Sequence, residues 1–182
     1  ADRQVNNVSR FSVFFPERRQ FFLENASLFG VGISRNPDES GGNMRIQPFF
    51  SRSIGLDAQA QAIPIIAGSR FVYRSEKRNV GAMLIRQGEG DGDPFTNFGV
   101  ARYSENLGNN SRIGGVLTSK ISPTNQQTTS SIDGFVRFND VLSFSGMVST
   151  TQESKTGQTG LAEYAQFYYK GNFTTAYWTH TV

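Results

Sequence analysis

Cysteine does not occur in the 182 residues, so disulfide frameworks, thiol nucleophiles and cysteine-ligated zinc or iron–sulfur sites are excluded. Histidine occurs once, at His180, so any Ser-His-acid machinery would have to use it. No serine stands in a G-x-S-x-G setting, and neither a P-loop nor a dinucleotide fingerprint is present. The 15 acidic residues fall mostly in expected loops and nominate no carboxylate pair for glycoside hydrolysis. No apolar run approaches the ~18 residues of a spanning helix, so if the chain crosses a bilayer it does so with strands. A net charge of +3, from 18 Lys+Arg against 15 Asp+Glu with no basic block, argues against nucleic acid as a partner.

What the chain has in quantity is Phe (16) and Gly (19), beside abundant Ser, Thr and Asn. That mixture favours strands joined by turns over packed helices. Strand-forming runs recur near 44–54, 64–74, 79–88, 96–104, 111–121, 131–138, 142–151, 161–169 and 173–182. Most have the length a tilted strand needs to cross a hydrocarbon layer. Their connections alternate: "SEKR", "ND" and "KGN" are short, "ENLGNN" is intermediate, and "GEGDGDP", "SPTNQQTT" and "TQESKTGQTG" are long. This is the rhythm of an up-and-down meander with tight turns at one rim and polar loops at the other.

Side-chain alternation agrees in places. In "VLSFSGMVST", Leu142, Phe144, Gly146 and Val148 point one way and Ser143, Ser145, Met147 and Ser149 the other. Ile113, Leu117 and Ile121 likewise oppose Arg112, Thr118 and Lys120. "RFVYRSEKRNVGAMLIRQ" alternates poorly, and Glu163 shares the parity of Leu161, Ala165 and Phe167. A soluble barrel with its apolar face inward would give the same dyad pattern, so periodicity alone leaves the side of the lipid open. Tyr73, Tyr103, Phe138, Tyr168, Tyr169, Phe173, Tyr177 and Trp178 fall near expected strand ends, where rings can form a headgroup-level girdle.

Residues 1–43 do not follow the meander. "VNNVSRFSVFF" suits a strand, "PERRQFFLENASLF" suits about three helical turns after Pro16, and "SRNPDESGGN" is a loop. The runs "VNNVSRFSVFFPERRQFFLENASLF", "IQPFFSRSIGL" and "IPIIAGSRF" together resemble a family of uncharacterised bacterial outer-membrane β-barrel proteins, common in Bacteroidetes. Members of that family carry a carbohydrate-binding module of the family-nine type ahead of the barrel. The resemblance implies an outer-membrane location and a link to glycans, and supplies no catalytic residues. The sugar-binding module itself is absent from this sequence.

The expected architecture is therefore an antiparallel up-and-down transmembrane β-barrel. Residues 1–43 make a strand plus a plug or rim segment, and 44–182 make nine to ten strands of a meander that is incomplete at its C-terminal end. Arg18, Arg19 and Arg52, with Glu17 and Glu24, are the candidate ligand-binding set. Their charges would be costly against lipid and tolerable in a polar lumen, where an anionic or sugar ligand could lie beside Phe rings. An amphipathic element at the periplasmic rim accounts for the same residues without a ligand. Glu89, Asp91 and Asp93 in "GEGDGDP" are a weak calcium candidate, since the distal bidentate Glu of an EF-hand is missing. No cofactor is expected. The partners expected are outer-membrane lipid, a glycan and other surface proteins, with the barrel serving as anchor or narrow pore. A soluble all-β carbohydrate-binding module and an outer-membrane hydrolase with a loop-borne site are the competing readings.

Overall fold

The computed structural model describes residues 29, 48, 54–57, 61–90, 92–108 and 111–182. They form one eight-stranded antiparallel sheet in sequence order: β1 (Ile65–Arg74), β2 (Arg78–Gln87), β3 (Thr96–Leu107), β4 (Ser111–Ile121), β5 (Gln126–Arg137), β6 (Leu142–Glu153), β7 (Thr159–Lys170) and β8 (Thr175–Thr181). Every neighbour is a hairpin partner, so the sheet is a pure meander, and among the described residues β1 and β8 are its edges. The run expected at 44–54, the segment 1–28 and residues 30–43 with their expected loop lie outside the described residues, apart from Pro48 and Ile54.

Several strands extend further into polar sequence than their apolar residues indicate. β5 begins at Gln126, so half of "SPTNQQTT" is strand, and the connection it leaves is only 122–125. Cross-strand hydroxyl pairs hold this polar portion: Thr129 with Thr151 at 2.9 Å and Ser131 with Ser149 at 2.7 Å. The connections that follow β1, β3, β5 and β7 lie at one rim, here rim A. The loops 88–95, 122–125 and 154–158 gather at rim B.

The register is staggered. One row of paired residues runs Arg74, Asn79, Ser104, Gly114, Asp133, Met147, Tyr164, Thr181. It meets β1 at the first rim A turn. Leu107 lies three residues beyond Ser104, Arg137 four beyond Asp133 and Lys170 six beyond Tyr164. Rim A thus moves away from the row as strands are added, the stagger of strands that tilt around a curved wall.

The two faces differ sharply. On one, Met83, Ile85, Val100, Val116 and Met147 form a buried apolar cluster, joined by Val72 of β1 and Tyr164 of β7. Residues near both ends of the sheet pack on one cluster, so this face is concave. Phe29 and Ile54 are buried in the same cluster and cover it from the opening segment. The need for inward apolar side chains on β2 is why "RNVGAMLIRQ" alternates poorly: Met83 and Ile85 serve the concave seat while Leu84 stands exposed opposite. Phe98, packed against the cluster, and buried Phe135 lie on the same face, and most of the remaining concave positions are polar. They include Arg70, Arg74, Arg102, Arg112, Lys120, Asp133, Arg137, Glu153 and Lys170.

The convex face is the greasy one. Leu84 (64% exposed), Ile132 (66%) and Val148 (50%) project from it, with Phe71, Ile113, Leu117, Leu161 and Phe167. Its strand charges are Arg78, Arg86, Glu105 and Glu163 alone. Arg78 opens β2, Arg86 is the penultimate residue of β2, Glu105 lies two residues from the end of β3, and Glu163 lies four residues into β7. Apart from these four positions the convex face of the strands carries no charge.

Candidate functional site

The most developed polar arrangement is an ion pair under the concave face. Arg102 of β3 is 2% exposed and Asp133 of β5 is 3% exposed. The two side chains meet in a bidentate fork: Arg102 Nη2 donates to Asp133 Oδ2 at 2.8 Å, and Nη1 donates to Oδ1. They stand two strands apart, so the guanidinium must pass over β4. Gly114, register partner of both Ser104 and Asp133, provides the passage. A Cβ at Gly114 would stand 2.7 Å from the Tyr103 carbonyl oxygen and 2.9 Å from Arg102 Nη2. Planar fork against planar carboxylate is the geometry for which arginine is suited and lysine is not.

Around this pair lie buried hydroxyls at Ser104, Ser131, Ser145 and Ser149. The apolar seat beside them receives Phe29 and Ile54. Two polar contacts tie the same segment to the sheet. Thr118 Oγ1 donates to the Pro48 carbonyl at 3.4 Å, and the Gly55 amide, at φ +84°, donates to buried Gln87 Oε1 at 2.8 Å. A left-handed residue bonded to a buried amide side chain fixes how the chain leaves the seat before β1.

At rim B the loops are linked to one another. Thr124 Oγ1 donates to Asp93 Oδ2 at 2.9 Å, and Asn125 Nδ2 donates to Glu153 Oε1 at 2.7 Å. Thr156 Oγ1 donates to Glu153 Oε2 at 2.7 Å, and the Lys155 amide donates to Asn125 Oδ1 at 3.2 Å. The Ser122 hydroxyl, then that of Thr124, hold the Asp93 carboxyl below its ordinary range against the opposing effect of desolvation. Asp93 Oδ1 is buried without a hydrogen-bond partner among the described residues.

The residues singled out from sequence fall as follows. Glu17, Arg18, Arg19, Glu24, Arg52 and Asp91 lie outside the described residues. Glu89 is exposed in the β2–β3 loop, while Asp93 is turned inward to Thr124. Among the described residues no three His, Asp or Glu side chains are grouped as a metal site would need. His180 lies on β8 and stacks on Trp178, with ring centroids 6.0 Å apart and planes 7° from parallel. Sequence reasoning missed Arg102, Asp133 and Gly114 as a unit, because they meet only once the register of three strands is known.

No helix among the described residues is long and apolar enough to cross a membrane, which leaves strand crossing untouched. Compared with known protein families, curated proteins and solved structures, the chain gives no significant match.

Proposed function

We propose that this sheet is part of the wall of an outer-membrane β-barrel, with its convex face against lipid and its concave face lining a polar, partly filled lumen. One observation carries the reading: the exposed convex face is lined with large apolar side chains, while the concave face, beside its apolar seat for Phe29 and Ile54, buries polar and charged groups. Buried positions hold an ion pair and a row of hydroxyls, and exposed positions hold Leu84, Ile132, Val148 and Leu161. In water such an apolar surface would be a large liability, whereas acyl chains solvate it. The stagger of the strands and the scarcity of charge on the convex face support the same reading.

The aromatic residues support it too. Tyr73, Phe138, Tyr169 and Phe173 lie exposed beside rim A, where rings of this kind sit among headgroups. Short turns are characteristic of the periplasmic side, so rim A is periplasmic and the loops of rim B are external. Phe29 and Ile54 fill part of the concave space, so the barrel is an anchor or a narrow pore rather than a wide channel. A glycan or a surface-assembly partner would be met through this anchor, and no catalytic role is assigned to any described residue.

Extraction tests the reading. The full-length protein is expected in the membrane fraction, released by detergent only, with a folded band that shifts on boiling. A monomer that stays in solution without detergent, and migrates identically with and without heat, would contradict it.

A further inference from the structure

A groove of about 530 Å³ crosses the convex face from β2 to β6. Ala101 and Gly115 make its floor, and Tyr103, Leu117, Ile132 and Val148 stand along it. Because the strands are staggered, the groove is not parallel to the rim. Val80 lies two residues from the start of β2 at rim A, while Val148, in the same row through Tyr103, Gly115 and Ile132, lies six residues from the start of β6. The groove therefore begins near rim A and descends into the wall.

Its upper end meets charge of both signs. Tyr103, which lines the groove, donates through its hydroxyl to Glu105 Oε2 at 2.8 Å. Glu105 Oε1 receives Arg78 Nε at 3.4 Å, and Arg78 keeps 59% of its side chain exposed. Resting on the membrane reading above, we propose that this groove is the seat of a phospholipid with an ethanolamine headgroup. The phosphate lies on Arg78, the ammonium on Glu105, and one acyl chain runs down the groove past Gly115. Charge complementarity selects this occupant: a cation and an anion side by side match a zwitterionic headgroup that can donate hydrogen bonds, and the apolar trough continues from them without a break. Tyr73 pairs in register with Val80 and flanks the entrance at the depth where headgroups lie.

Native mass spectrometry of the detergent-purified full chain, with dioleoyl phosphatidylethanolamine or dioleoyl phosphatidylglycerol added, tests this. The unsubstituted protein is expected to retain the ethanolamine lipid, with a preference of about fivefold over the glycerol lipid. Glu105→Gln should erase that preference, Arg78→Gln should weaken retention of both lipids, and Ala101→Phe should empty the groove. If Ala101→Phe loses the heat-shifted folded band, the two charge variants, at exposed Arg78 and half-buried Glu105, decide. Equal retention of both lipids by the unsubstituted protein, or unchanged retention in Arg78→Gln, overturns the lipid site. A protein that requires detergent yet shows no such discrimination overturns this inference alone; one that needs no detergent removes the membrane reading as well.

Discussion

At the scale of single residues, Arg102 and Asp133 make the sharpest demands. Two charges without solvent are tolerable only while they face each other, so Asp133→Ala, which strands the guanidinium, is expected to cost about 3–5 kcal/mol. The double change Arg102→Met with Asp133→Leu should cost much less, and urea titration of the folded band in detergent would compare them. Gly114→Ala should destabilise by about 1–3 kcal/mol, because the added methyl group would press on a carbonyl oxygen fixed in the sheet. Gly134→Ala is the control, since its nearest contact would be an ordinary 3.6 Å from the Arg112 carbonyl. Asp93 supplies a pH signature in a rim B loop. Its folded carboxyl lies below the ordinary value near 3.8, so its contribution is present above that value and is lost as pH falls through the lower, folded one. Protection of the β2–β3 and β4–β5 loop amides, taken relative to intrinsic exchange at each pH, is therefore expected to hold steady down to about pH 4 and to fall below it, and Asp93→Asn should remove that step. A loop whose protection ignores pH in this range would contradict the assignment.

At the scale of strands, eight of the runs marked by β-branched and aromatic residues between turns are strands in the structure, because turn chemistry and period-two alternation are local properties. Ends that carry no apolar residue were not legible. The beginning of β5 is "QQTTSS", whose strand character comes from its two neighbours rather than from its own composition. The Arg102–Asp133 contact was hidden for the same reason: 31 positions separate the partners, and only the pairing of β3, β4 and β5 brings them together. The side of the lipid was also hidden, since alternation names two faces without saying which is crowded. Exposure distinguishes them, and a consequence follows for Ile132. On the convex face of a soluble sheet, Ile132→Arg would change stability by about 0.5 kcal/mol or less. Near the middle of a bilayer the same substitution should cost about 2–4 kcal/mol, and folding into liposomes across a urea series would separate the two values.

At the scale of the whole molecule, the curved wall explains placements that look inconsistent strand by strand. Glu163 shares the convex face with Leu161 and Phe167, and it lies four residues from the start of β7 at rim B, nearer that rim than the other end of its strand. The opening segment, whose aromatic and charged runs stand apart in the sequence, reaches the concave seat at Phe29, Pro48 and Ile54. Those three residues belong to the stretches that carry the family resemblance, and they give those stretches a shared physical role in filling the wall they precede. The absence of cysteine makes the central claim directly measurable, because every introduced thiol is unique. Single Cys substitutions along β6, from Leu142→Cys to Glu153→Cys, each spin-labelled in liposomes, report whether each position meets acyl chains through its accessibility to dissolved oxygen. Maxima at 144, 146, 148 and 150 and minima at 145, 147 and 149 are the expected result. A profile that is flat, or that shows the reverse alternation, would contradict a wall whose convex side faces lipid.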